Sequence, residues 1–86
     1  RKVAVCGGSG AFALQLAVEA GADAFLTGEM HYHEYFGREQ QIQIAVTGHY
    51  ESEQFTIGLL EEIINDRCPQ VRTVQTETCT NPIRYY

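Results

Sequence analysis

Ile42-Gln43-Ile44-Ala45-Val46 followed by Thr47-Gly48-His49-Tyr50-Glu51-Ser52-Glu53 is the stretch whose reading decides the fold. Its first half is a short apolar run rich in β-branched residues, which predicts a buried strand. Downstream, Phe55, Leu59, Leu60, Ile63 and Ile64 recur at helical spacing. A helix over Ser52 to Asp66 follows from that period, and Cys68-Pro69 stops it because proline cannot continue the ladder. Strand, glycine turn and helix in this order form the opening of a βαβ unit.

The same order recurs upstream. Val3 to Cys6 is a strand closed by Gly7-Gly8-Ser9-Gly10, and Ala11 to Ala20 is a helix with Gly21 as its C-terminal cap. Ala24 to Thr27 is a second strand stopped by Gly28, and His33 to Gln40 a shorter helix with Tyr32, Tyr35 and Phe36 at helical spacing. Val71 to Thr76 alternates apolar and polar residues, which predicts a half-exposed fourth strand. Strands separated by helices imply right-handed crossovers and a mostly parallel sheet. The first three strands are apolar throughout, as expected when both sheet faces are covered. The expected fold is α/β, a three-layer sandwich with a mostly parallel sheet built from βαβ units, as a single domain over residues 1–86.

Composition narrows the function. An apolar fraction of 44% and a charged fraction of 20% belong to a globular chain. A domain this small buries roughly 60 to 65% of its unfolded surface, so its stability margin is thin. No apolar run approaches the ~18 residues of a membrane span. Arg1-Lys2 precedes only Val3 to Cys6, too short for a signal peptide. A chain that opens at Arg1 directly into a strand reads as the carboxyl-terminal segment of a longer protein. Six basic against eleven acidic residues give a formal charge of −5, and the arginines are scattered, which argues against direct nucleic-acid binding. Cys6, Cys68 and Cys79 form no C-x-x-C pair, which suits a reducing cytoplasm and a packing role.

In a parallel sheet the strand-to-helix loops gather beyond the carboxyl ends of the strands, where open α/β sheets place ligands. All three histidines fall in two of those loops, with Glu29, Glu34, Glu51 and Glu53 beside them. His49 and Glu53 stand at i and i+4 near a helix start, on one face, so imidazole and carboxylate can meet at one point. Nitrogen and oxygen donors together suit a divalent metal ion: zinc, iron, manganese or nickel. The bland alternative is a helix-start histidine among acids that favour the positive end of the helix dipole. His33 is either a proton shuttle or substrate-facing group at the same edge, or a helix-capping histidine.

Gly8-x-Gly10-x-x-Ala13 after a strand, with Glu29 about 20 residues on, has the outline of the dinucleotide fingerprint. On that reading Gly8, Ser9 and Gly10 would contact a phosphate through free backbone N–H groups. The alternative is a tight turn that lets the following helix pack close to the sheet.

Three motifs in order, Val3-Ala4-Val5-Cys6-Gly7-Gly8-Ser9-Gly10, Gly21-Ala22-Asp23-Ala24-Phe25-Leu26-Thr27-Gly28-Glu29 and Gly48-His49-Tyr50-Glu51-Ser52-Glu53, resemble the carboxyl-terminal portion of the GTP cyclohydrolase 1 type 2 homologue family, also called the NGG-one-interacting-factor-three-like family. Asn81-Pro82 before the aromatic tail is similar to that family's terminus. The resemblance implies a dinuclear divalent-metal site in a toroidal homohexamer, with His49 and Glu53 as ligands and Glu53 bridging both ions. It implies that Thr27-Gly28-Glu29 and His33 lie beside the site, and that a His-His pair and an Asp from an amino-terminal portion complete it. A fragment with two ligands would hold metal weakly or not at all. The implied chemistry is hydrolysis of GTP, another nucleotide or a phosphate ester. The rivals are a non-catalytic, metal-stabilised regulatory or protein-interaction scaffold and a dinucleotide-binding half-domain.

Overall fold

A computed structural model describes all residues, Arg1–Tyr86. Three strands, β1 (Val3–Cys6), β2 (Ala24–Thr27) and β3 (Gln43–Val46), form one parallel sheet in the order β1-β2-β3. The register pairs Ala4 with Phe25 and Phe25 with Ile44, and Cys6 with Thr27 and Thr27 with Val46. The α/β class and parallel sheet expected from the sequence are present.

Helix α1 (Leu14–Glu19) is entered through a 3-10 turn at Ala11–Ala13, so the helical period beginning at Ala11 is met in two pieces. It ends in a Schellman motif: the Gly21 N–H donates to Val18 O at 2.9 Å and the Ala22 N–H to Ala17 O at 3.0 Å. Lys2 Nζ adds a donor to Ala20 O at 2.5 Å, at the negative end of the helix. Leu14 and Ala17 bury against Ala22 and Phe25, and Ala4, Cys6, Met30, Ile42 and Ile44 pack around them. A strand order that advances in one direction, with right-handed crossovers, puts both connections on the same sheet face. Val3 and Val5 face the other way and are 61% and 69% exposed.

The remaining elements differ from expectation in ways the local chemistry explains. His33 to Gln40 is no α-helix: a 3-10 turn spans Tyr32–Tyr35, Phe36 leaves it in extended backbone, and Gly37 follows with φ 78°. Tyr32 and Phe36 still meet edge-to-face, their centroids 5.0 Å apart. The continuous helix expected from Ser52 is divided into α2 (His49–Glu53) and α3 (Thr56–Arg67). Thr56 and Gly58 are weak helix formers beside the break. Residues Arg1–Glu53 and Gln54–Tyr86 form two compact units.

Val71 to Thr76 forms no fourth strand. Its alternation serves side chains instead. Thr73 Oγ1 donates to Glu61 Oε1 at 2.9 Å, and Gln75 Nε2 donates to Glu61 Oε2, so the two residues that share one side of an extended segment reach the same carboxylate on α3. No helix is long and apolar enough to cross a membrane.

Candidate functional site

The loops after β1, β2 and β3 are stitched together by backbone and hydroxyl groups. The Glu29 N–H donates to Gly8 O at 3.0 Å, the Gly8 N–H to Ser52 Oγ at 3.0 Å, and the Thr47 N–H to Thr27 O at 3.0 Å. Ser52 Oγ in turn donates to His49 O at 2.9 Å, so one hydroxyl joins the first loop to α2. Two glycines make this approach possible. A Cβ on Gly28 would lie 2.5 Å from Gly8 O and 2.5 Å from Ser52 Oγ, with backbone that cannot yield. Gly8 itself has φ 62°, a region disfavoured for side-chain-bearing residues, and a Cβ there would overlap the carboxylate of Glu53.

His49 stands between two carboxylates on this rim. Its Nε2 lies 3.1 Å from Glu53 Oε2, one helical turn on, and its Nδ1 lies 3.0 Å from Glu29 Oε2, at the end of β2. The three side chains are half-exposed, at 46% for His49, 44% for Glu29 and 54% for Glu53. The Glu29 hydrogen bond raises the imidazole above its ordinary pKa, and the Glu53 charge reinforces it. The same bond to His49, followed by that of the Ser9 hydroxyl, lowers the Glu29 carboxyl. Exposed ion pairs of this kind contribute little to folding.

Two donors about 2.1 Å from one ion lie about 3.0 to 3.4 Å apart in octahedral or tetrahedral geometry. The 3.1 Å between His49 Nε2 and Glu53 Oε2 fits that span. The gap that Gly8 leaves open is filled by the Glu53 carboxylate. No group of three or more His, Cys, Asp or Glu side chains in the chain is arranged to hold a metal ion by itself.

The other sequence candidates lie elsewhere or are engaged. His33 is exposed on the 3-10 turn, its ring stacked on His31 with centroids 5.9 Å apart, and it makes no ion pair with Glu53 or hydrogen bond to His49. In the glycine loop, the Gly8 N–H is taken by Ser52, and the Gly10 N–H by Gly8 O at 3.1 Å and Thr27 Oγ1 at 3.2 Å. Those amides hold the turn together and are not open to a phosphate. Glu51 is half-buried, with its Oε2 enclosed. Ser52 has no clear signal in the sequence, whereas the resemblance places Glu29 beside the site without showing its bond to His49. Glu29 stands at the start of the loop after β2, on the edge where His49 also lies.

Residues 1–82 match the model of the Duf34/NIF3 (NGG1p interacting factor 3) family. The chain is 41% identical over 68 residues to a GTP cyclohydrolase 1 type 2 homolog of Archaeoglobus fulgidus, covering 78% of this chain and 28% of that protein. It is 38% identical over 63 residues to one of Haemophilus influenzae, covering 72% and 25%. Among solved structures, Staphylococcus aureus protein SA1388 superposes with a TM-score of 0.71 at 25% identity, over 98% of this chain and 29% of that one. A Bacillus cereus protein related to NIF3 gives 0.68 at 27% identity, over 98% and 24%. The chain therefore spans about a quarter of the length of the relatives it matches, 28% and 25% for the two curated proteins.

Proposed function

The chain belongs to the Duf34/NIF3 family, and from that premise we propose that it supplies one edge of a divalent-metal site used for hydrolysis of a nucleotide or phosphate ester. The observation that carries this reading is the 3.1 Å approach of His49 Nε2 to Glu53 Oε2 beyond the carboxyl ends of a parallel sheet. Zinc, iron, manganese or nickel suits a nitrogen and oxygen donor pair. The remaining ligands would come from the longer polypeptide, since the curated relatives extend well beyond this segment.

His49 and Glu53 would hold the ion, and Gly8 keeps the space in which the Glu53 carboxylate sits. Ser52 ties the Gly8 loop to α2 and so fixes the rim on which both donors stand. A bound divalent pair lowers the pKa of water and neutralises developing negative charge on phosphate oxygens. The names of the relatives make GTP the first nucleotide to test.

A second reading has its own observation. A protonated His49 can donate to Glu29 and Glu53 at once, closing a charge clamp between β2 and α2 with no metal. The raised imidazole pKa favours that clamp in the metal-free state. Turnover separates the two. The full-length protein, loaded with zinc or manganese, is expected to hydrolyse GTP or a member of a phosphate mono- and diester panel, and His49→Ala to abolish it. Absence of turnover across the panel, with no response to metal, would remove the hydrolase and leave the clamp.

A further inference from the structure

We infer that Glu29 is the positioning residue for His49: by accepting the Nδ1 proton it leaves the Nε2 lone pair directed at the Glu53 carboxylate, where a divalent cation is the partner that both need. This inference rests on the metal reading above and adds a residue to it. A neutral imidazole carries one N–H and one lone pair, so it can donate to only one of the two carboxylates that flank it. Nδ1 is 3.0 Å from Glu29 Oε2 and Nε2 is 3.1 Å from Glu53 Oε2. Whichever nitrogen lacks the proton therefore points its lone pair at an anionic oxygen, a repulsive arrangement that a cation between them converts into coordination.

The two carboxylates are anchored differently, which favours Glu29 as the acceptor of the Nδ1 proton. Glu29 stands two residues past the end of β2, and its own N–H is bonded to Gly8 O at 3.0 Å, so its backbone is fixed to the first loop. Glu53 is the more exposed of the two and stands one turn from His49 on the same helix, the geometry in which two side chains converge on a shared ion. A histidine ligand held by a carboxylate on its other nitrogen has its tautomer and ring plane set before metal arrives. Glu29 is thus an acceptor behind the imidazole, and His49 Nε2 and Glu53 are the pair that meets the ion.

Zinc titration of the full-length protein by calorimetry, with imidazole 15N spectra followed up an alkaline pH series until the ring shifts reach their neutral-form plateau, tests this. The wild type is expected to show the Nδ1–H tautomer. Glu29→Ala is expected to give mixed tautomers and zinc binding weaker by about 10- to 100-fold. Glu29→Gln, whose amide oxygen still accepts from Nδ1, is expected to restore the tautomer and most of the affinity. Unchanged affinity in Glu29→Ala would overturn the inference, as would loss of binding as complete as in His49→Ala, which would make Glu29 a ligand itself. Should Glu29→Ala fail to fold, an Nε2–H tautomer in the wild type overturns it alone. Failure of the underlying metal reading shows separately, as equal zinc affinity in wild type and His49→Ala.

Discussion

Residues 1–53 and 54–86 are held together by different means. The first unit has a parallel ladder, a buried cluster around Phe25, and loops tied to one another by backbone donors. The second is a helix and a tail joined through the side chains of Glu61, Thr73 and Gln75, with Leu59, Leu60 and Ile63 about half-exposed. All the candidate site residues lie in the first. A histidine held between two carboxylates needs a rim whose geometry is set by backbone, and only the ladder and its glycine loops provide one.

The contrast is sharpest under truncation of the core. Phe25→Ala removes a side chain that is 1% exposed and is expected to cost about 3 to 5 kcal/mol, read as a shift of the urea midpoint. Leu59→Ala in the second unit, at a position 56% exposed, should stay within about 0.5 kcal/mol. Equal losses would mean that the two units do not differ as described. Gly28→Ala should follow at about 1 to 3 kcal/mol, because the new methyl meets the Gly8 backbone. Its hydrogen-exchange signature should be loss of protection in the three loops, with α3 spared. Gly8→Ala is milder, about 1 to 2 kcal/mol for the left-handed conformation. Its main effect should be on the site: the methyl displaces the Glu53 carboxylate, so a crystal structure should show the His49–Glu53 pair broken.

The smallest effect concerns pH in the second unit. The Gln75 bond, then the Thr73 bond, lowers the Glu61 carboxyl below its ordinary range. A depressed carboxylate pKa stabilises above the unfolded value, and the contribution disappears as pH falls through the folded one. Acidification from about pH 5 to about pH 3 should therefore release Thr73 and Gln75 from α3, followed by their side-chain NMR shifts. Glu61→Gln should remove the pH dependence while the sheet is unaffected.

How much of this was legible from residues alone follows the same division. β1 and β2 have the bounds their apolar runs imply, and β3 starts one residue later than Ile42, because strand periodicity and flanking glycines are local signals. The helices were legible as apolar periods but not as breaks. Gly37, and Thr56 with Gly58, weigh against continuation only modestly, and packing decides the outcome. Alternation over Val71 to Thr76 signals an extended segment. Whether it finds a strand or a helix side chain as partner is a long-range fact. At the site, His49 and Glu53 were visible because one turn of helix separates them. Glu29 lies 20 positions before His49, and only the register of β2 on β3 brings it to the imidazole.

The central claim is that His49 and Glu53 grip one divalent ion. Its most direct test is the bound-metal content of the full-length protein after exhaustive dialysis, measured beside Glu53→Gln and His49→Ala at equal folded fraction. The account predicts metal retained by the wild type and lost from both variants. The same metal content in all three would contradict it.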